Sequence, residues 1–231
     1  MMSFFTIIVL AVWSTFSIVQ GNMIWPQVAE SKFGQNTVTI SRSLEFDSPQ
    51  VKTLTAAYER YKLIMFPHAT EQGKADSSVN TITVVKVEVE NVSEEYPQLE
   101  TDESYELLIS TDGESTISAK TVYGVLRALE SLSQLVLFDY DEEQYLISNS
   151  PVSIKDMPRY PHRGLLLDTS RHFQPLSEIE RTIDALSYAK YNGKINNSVV
   201  SILSTVIIST SLLSSVGRMS LTSTIHLRFE C

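Results

Sequence analysis

Residues 158–192 carry the pattern that most constrains the fold, because they read as one strand, one loop and one helix in succession. The run Gly164–Asp168 is short, continuous and apolar, as is typical of a parallel strand that is buried on both faces. Ser177 and Glu180 have the spacing of a capping box, which marks the start of a helix. Aliphatic residues then recur on one helical face, at Ile179, Ile183 and Leu186. The pattern predicts the first βα unit of a parallel (β/α)8 barrel, a fold that typically needs about 250 residues.

The preceding residues, 22–157, predict a separate α+β domain. Two helices and three strands are expected, at Pro49–Phe66 and Thr121–Leu137 and at Thr81–Glu90, Tyr105–Ser110 and Tyr145–Ser148. Ser48 would be the N-cap of the first helix, and Asp112-Gly113 marks a turn. Because strands and helices do not alternate strictly and the clearest strand is half polar, the pattern favours a mainly antiparallel sheet with helices on one face.

The amino-terminal end predicts entry into the secretory pathway. Phe4–Val19 is an uncharged apolar run followed by Gly21, which is the shape of a signal peptide over residues 1–21. A buried amino-terminal helix is the alternative interpretation. Asn91 and Asn196 each begin an Asn-x-Ser triplet, so both are candidate glycosylation sites if the chain enters that pathway.

The composition and the spacing of the charged residues favour no nucleic-acid partner, internal disulfide or metal site. Asp and Glu number 27 against 18 Lys and Arg, giving a formal net charge of −9, and no basic cluster interrupts this balance. A nucleic-acid partner is therefore not expected. With Cys231 as the single cysteine, an intramolecular disulfide is excluded. His162, Asp168 and His172 do not predict a metal site, because His162 precedes the predicted strand while the other two follow it, and no cofactor is expected.

Four separated motifs then follow one another along the chain. They are Asp102–Tyr105 with the ELLIS that follows, Thr121–Gly124, Leu126–Gln134 and LLLDTSRHF at 165–173. Their order resembles that of the β-N-acetylhexosaminidases, glycoside hydrolase family 20, over about residues 24–192. The resemblance implies that residues 22–157 are the family's non-catalytic domain and that residues 158–192 begin its catalytic barrel.

The resemblance also implies an activity and its setting. Such an enzyme removes terminal N-acetyl-D-hexosamine from glycans or chitin oligosaccharides, in a lysosome or vacuole or outside the cell. Glycans that contain N-acetylhexosamine are then the expected partners. The resemblance also implies a possible homodimer, as in full-length members of the family.

Arg171 is the one candidate for substrate binding. It lies in the loop that leaves the carboxyl end of the predicted strand, which is the end that carries the active site in α/β barrels. A guanidinium offers a planar fork of donors and stays charged, so it can hold hydroxyl groups without joining proton transfer. The resemblance implies that Arg171 binds hydroxyls of the terminal sugar. The alternative is a surface arginine that pairs with Asp168 or a nearby carboxylate.

The resemblance further implies a substrate-assisted retaining mechanism, in which the substrate's acetamido oxygen attacks the anomeric carbon. That mechanism uses an adjacent Asp-Glu pair on a later barrel strand. Beyond Asn192 this chain has one glutamate, Glu230, and no aspartate. We therefore expect no catalytic residue here, and a truncated fragment that is inactive by itself. The alternative function is a non-catalytic, secreted or membrane-tethered module for carbohydrate binding or protein interaction.

Residues 193–231 depart from the family pattern and are expected to lie outside the fold. Val199–Val216 is uncharged over 18 residues, which is near the lower limit for a transmembrane helix. The tail has three interpretations: a transmembrane segment, a genuine alternative terminus, or non-native coding sequence joined to a truncated gene. Its abrupt break and hydroxyl-rich composition favour the third.

Overall fold

The computed structural model describes residues 24–68, 80–169 and 171–196. Its strands are β1 (Glu30–Asp47), β2 (Thr81–Asn91), β3 (Tyr105–Ile109), β4 (Ser115–Thr121), β5 (Val136–Asp139), β6 (Gln144–Asp156), β7 (Gly164–Leu167) and β8 (Gly193–Asn196). Its helices are α1 (Lys52–Met65), α2 (Val122–Leu135) and α3 (Leu176–Tyr188). The predicted signal peptide and the segment 199–216 lie outside the described residues. Among the helices in the described ranges, none combines the length and apolar character that a membrane span requires.

The first six strands form one mixed sheet in the order β1-β2-β4-β3-β6-β5. Strand β1 pairs twice, because its first half runs antiparallel to β6 and its second half runs parallel to β2. The β2–β4 pair is also parallel, whereas β3–β4, β3–β6 and β5–β6 are antiparallel. Four of these six pairings are antiparallel, so the sheet is mixed, and its two parallel pairs were not predicted. The first arises because α1 crosses over between β1 and β2, which is the connection that parallel neighbours need.

Strand β1 was not predicted, because few of its residues are apolar. Val38, Ile40 and Leu44 are buried, while most of the remaining side chains face solvent. Gly34 lies where β1 meets β6, and a Cβ at that position would overlap the backbone carbonyl of Ser150. The glycine is therefore required by the close approach of two backbones.

Helices α1 and α2 pack on one face of the sheet and share its core. The fully buried side chains come from both layers: Leu54, Met65, Leu129 and Leu132 from the helices, and Ile82, Leu107, Ile117, Ile147 and Ile154 from the strands. The opposite face carries exposed ion pairs, Lys86–Glu88 and Lys155–Glu106. The predicted placement of helices on a single face therefore agrees with the structure.

The cap predicted for α1 was wrong. The helix begins at Lys52, its N-cap is Val51, and no side chain of that residue caps it. Instead Glu94, from the segment between β2 and β3, accepts hydrogen bonds from the backbone N–H of Thr53 at 2.6 Å and from its hydroxyl. A carboxylate at a helix amino terminus is stabilising, but a local pattern cannot show one that arrives from another segment.

Helix α2 has the local cap that its sequence provides. Thr121 Oγ1 accepts a hydrogen bond from Gly124 N at 3.3 Å and donates one to the carbonyl of Asp102 at 2.6 Å. A Cβ at Gly124 would overlap the carbonyl oxygen of Ser104. Two of the motifs noted in the sequence thus contact each other directly, the segment before β3 and the start of α2.

The predicted strand–loop–helix over residues 158–192 is present as β7 and α3. The helix begins at Leu176 with Pro175 as its N-cap, so Ser177 lies inside the first turn and the capping-box prediction was wrong. Residues 193–196, assigned to the tail from sequence, form β8 and pair in parallel with β7. Residues 197–231 lie outside the described residues. In the described part of the chain β7 has only β8 beside it, and Leu166 is accordingly exposed rather than buried.

Candidate functional site

Arg171 lies in the loop that leaves the carboxyl end of β7. Its Nε donates to Asp168 Oδ2 at 2.6 Å, and its backbone N–H donates to Asp168 Oδ1 at 3.3 Å. The side chain is 78% exposed. Asp168 therefore fixes one edge of a guanidinium that is otherwise open to solvent. The structure thus contains the pairing that was the alternative interpretation of Arg171, and it leaves the residue where a ligand at this end of the strand could reach it.

The two histidines near this unit lie at opposite ends of it. His162 packs its ring against Gly164 and Gly193, at the amino ends of β7 and β8. His172 is exposed and follows Arg171 in the loop at the carboxyl end. In the described ranges no group of three or more His, Cys, Asp or Glu side chains is placed to hold a metal ion.

A buried lysine holds the β7–α3–β8 unit against the six-stranded sheet. Lys190, just beyond α3, donates from Nζ to Tyr105 Oη at 2.9 Å, Ser131 Oγ at 2.7 Å and Asp156 Oδ2 at 3.3 Å. The Tyr105 hydroxyl also donates to Asp156 Oδ2 at 3.0 Å. These four residues, the Lys190 cluster, come from α2, β3, β6 and the α3–β8 connection, so one ammonium joins four segments.

Burial and charge oppose each other in the Lys190 cluster. Burial lowers the pKa of Lys190 from its ordinary value, and the neighbouring Asp156 carboxylate works against that shift. Burial and Asp156 together raise the pKa of Tyr105, which keeps its hydroxyl protonated as a donor. Lys190 also has φ 56°, a left-handed conformation that is costly for a residue with a Cβ. Such strain persists where surrounding contacts impose it.

A second buried group, centred on Glu103, anchors the amino end of β7. The Glu103 carboxylate is 5% exposed and pairs with Arg127 of α2 at 3.0 Å and with Arg163, the residue before β7. Arg163 also donates from Nε to the carbonyl of Lys190 at 2.9 Å. The two groups are therefore joined, and together they fix the segments that precede β7 and β8 to the six-stranded sheet and its helices.

Comparison with known families identifies these two parts. Residues 24–135 match the family model described as beta-acetyl hexosaminidase like, and residues 160–193 match the model of the glycosyl hydrolase family 20 catalytic domain. The chain belongs to glycoside hydrolase family 20. The second match begins just before β7 and ends at the start of β8, so it coincides with the unit that carries Arg171.

Individual relatives agree with this family assignment. Beta-hexosaminidase subunit B2 of Dictyostelium discoideum is 41% identical over 173 residues, covering 73% of this chain and 30% of the relative. Beta-hexosaminidase 1 of Arabidopsis thaliana is 39% identical over 186 residues, covering 73% of this chain and 34% of the relative. The solved Flavobacterium johnsoniae chitobiase, of family 20, aligns with a TM-score of 0.57 and 27% identity, over 76% of this chain and 26% of its own. The chain thus spans about a third of the length of the curated family 20 relatives.

The anchoring residues of this family 20 chain were not found from sequence. Lys190 is separated along the chain from Tyr105, Ser131 and Asp156 by 85, 59 and 34 positions. Periodicity within a window of a few turns cannot detect such contacts. Glu103 and Tyr105 stand inside one of the family motifs, and Arg127 and Ser131 stand inside another. Those positions were a signal that the residues matter, but they did not show what the residues contact.

A buried carboxylate in α2 gives a pH-dependent prediction for this chain. Glu130 accepts from Tyr61 Oη at 3.0 Å and from Gln134 Nε2 at 2.9 Å. Burial raises its pKa above the ordinary value of 4.5. Between 4.5 and that raised value the native state binds more protons than the unfolded state, so stability falls as pH rises through the window.

Glu130→Gln should remove this loss. The free energy of unfolding of Glu130→Gln minus that of wild type should increase as pH rises from about 4 to about 7. Urea unfolding at several pH values within this range measures the difference. Parallel profiles for the two proteins would contradict the expected burial cost.

Proposed function

We propose that this chain is the amino-terminal part of a β-N-acetylhexosaminidase that hydrolyses terminal N-acetyl-D-hexosamine residues of glycans or chitin oligosaccharides. The observation that carries the proposal is the match of β7, α3 and the start of β8 to the family 20 catalytic domain, with Arg171 at the carboxyl end of β7. Relatives that carry beta-hexosaminidase names support the substrate class.

In this proposal the Lys190 cluster and the Glu103 group connect a non-catalytic domain to the first unit of a catalytic barrel. Residues 22–157 form the non-catalytic domain, and β7, α3 and β8 are the first strand, helix and second strand of a (β/α)8 barrel. The Lys190 cluster and the Glu103 group hold this first unit in place. The active site then assembles at the carboxyl ends of the strands, as in other barrels of this kind.

Within this proposal Arg171 binds hydroxyl groups of the terminal sugar. Its fork donates hydrogen bonds, while Asp168 restricts the rotation of its side chain. The acetamido oxygen of the substrate is the nucleophile in a substrate-assisted retaining reaction. The adjacent Asp-Glu pair that polarises the acetamide and protonates the leaving group comes from barrel strands beyond those described.

The expected setting is the secretory pathway, with a lysosome, a vacuole or the extracellular space as destination. The apolar run Phe4–Val19 supports this proposal. A protein sorted this way would meet glycans that end in N-acetylhexosamine. A homodimer belongs to the same proposal for the complete protein.

Hydrolysis of chromogenic N-acetylglucosaminides and N-acetylgalactosaminides tests the proposed activity. The polypeptide of residues 1–231 should release no chromophore above the blank, because it lacks the carboxylate pair. A protein that extends this chain through the remainder of a family 20 catalytic domain should hydrolyse at least one of the two substrates. Specific hydrolysis by the 231-residue polypeptide would contradict the proposed mechanism, and an inactive extended protein would favour the binding-module alternative.

A further inference from the structure

Asn91 stands at a place where a large covalent group could be attached without disturbing the fold. It is the last residue of β2, and it is exposed. Val92, the next residue, is 47% exposed and belongs to no strand or helix. A substituent on the Asn91 side chain would therefore extend into solvent at the edge of the domain rather than into its core.

The local conformation presents the nitrogen of the Asn91 amide. Asn91 Oδ1 accepts a hydrogen bond from the backbone N–H of Ser93 at 3.0 Å. This is an Asx-turn, which forms from neighbouring residues alone and needs no tertiary contact. In the planar amide Nδ2 lies on the side opposite the turn, so it faces away from the backbone. The Ser93 hydroxyl is in the third position of the Asn-x-Ser triplet and accepts from the N–H of Glu95 at 3.3 Å.

The second triplet, at Asn196, lies in a different environment. Asn196 is the last described residue of β8, and its backbone is in register with Leu167 of β7. Residues 197 and 198, which complete this triplet, lie outside the described residues. The structure therefore supports a proposal at Asn91 alone.

We propose that Asn91 is N-glycosylated by an oligosaccharide transferase of the secretory pathway, which rests on the proposed entry of the chain into that pathway. Asn91 Nδ2 attacks C1 of the first sugar of a lipid-linked oligosaccharide. The new N–C1 bond replaces the bond from C1 to the phosphate oxygen, the lipid diphosphate leaves, and Nδ2 loses one proton. The hydrogen bond from Ser93 N–H to Oδ1 polarises the amide and so favours loss of that proton.

Translation of the 231-residue chain in the presence of endoplasmic-reticulum microsomes tests this proposal without reference to any catalytic activity. The translocated chain should migrate more slowly in gel electrophoresis by the equivalent of one glycan. Peptide N-glycosidase should abolish the shift and convert residue 91 to aspartate, which mass spectrometry detects. Protection from added protease identifies the chains inside the lumen.

Matched variants assign the shift to one site. Asn91→Gln and Ser93→Ala should abolish it, while Ser93→Thr should retain it because the hydroxyl remains. Val92→Pro should abolish it as well, since proline in the middle position prevents acceptance. Asn196→Gln should retain the glycan at residue 91.

Three outcomes would overturn the proposal. They are a protease-protected chain with no glycan, a glycan that persists in Asn91→Gln and disappears in Asn196→Gln, and a chain that never enters the lumen, since it then never meets the transferase.

Discussion

Asp156→Ala is expected to lower the free energy of unfolding of the 231-residue chain by about 3–5 kcal/mol near neutral pH. The substitution leaves the Lys190 ammonium buried without its carboxylate partner. It also removes the acceptor for the Tyr105 hydroxyl and for the backbone N–H of Ala29, at 3.0 and 3.1 Å. Truncating one partner of a buried ion pair costs more than the pair contributes, because the remaining charge stays desolvated.

The loss in Asp156→Ala should also depend on pH in a defined direction. The native pKa of Lys190 is already lowered by burial, and removal of Asp156 lowers it further. Between that lowered pKa and the ordinary value of 10.5 the unfolded state binds more protons, so stability rises with pH through this window. The deficit relative to wild type should therefore be smaller at about pH 9.5 than at about pH 7.

Two further variants separate the buried charge from general damage. Lys190→Met combined with Asp156→Ala should be more stable than Asp156→Ala alone, because no unpaired charge remains. Glu88→Ala, which breaks the exposed pair with Lys86, should change stability little. Urea unfolding measures all four proteins. A double variant less stable than Asp156→Ala would contradict the assigned role of the charge.

In the complete protein Arg171→Ala is expected to lower kcat/KM for an N-acetylhexosaminide by about tenfold or more. A hydrogen bond from a charged donor contributes roughly 1.5–3 kcal/mol, and about 1.4 kcal/mol corresponds to a factor of ten in rate. Arg171→Lys should recover little of the loss, because an ammonium does not reproduce the planar fork. This expectation depends on the proposed sugar-binding role.

The chain offers a matched control for this experiment. Arg181 is 75% exposed and pairs with Glu178 at 2.8 Å, three residues earlier, just as Arg171 pairs with Asp168. Arg181→Ala should leave kcat/KM unchanged, and both variants should lose at most about 1 kcal/mol of stability. If a folded Arg171→Ala protein had the kcat/KM of wild type, Arg171 would be a surface residue paired with Asp168 and no more.

The sequence predicted those parts of the fold that carry their own local pattern. Gly164–Asp168 predicted β7 because it is a short continuous apolar run, and the aliphatic face that includes Ile183 predicted α3 because it repeats with the helical period. Strand β1 was missed because only a few of its residues, such as Val38 and Ile40, are buried. The parallel pairing of β1 with β2 was missed for the same reason, because the crossover through α1 cannot be inferred without β1.

The residues of the candidate site likewise include one that a local sequence pattern predicted and others that it did not. Arg171 was found because it stands in a motif and at the end of a recognisable strand. The anchoring residues became visible only when distant segments met, as Lys190 does with Tyr105 across 85 positions. Charged residues scattered through polar segments carry no periodic signal, so their burial depends on tertiary packing that a local window does not contain.

The Lys190 cluster restricts how this protein could be recombined with its relatives. A chimera that keeps residues 22–157 of this chain and takes the catalytic domain of a relative retains Tyr105, Ser131 and Asp156 but loses Lys190. The opposite exchange retains Lys190 alone. A cut between Asp156 and β7 therefore divides an ion pair even though it falls in a connecting segment. A chimera should tolerate that junction only when all four residues come from the same parent protein. The boundary for domain exchange is therefore set by Lys190, beyond α3, and not by the connecting segment.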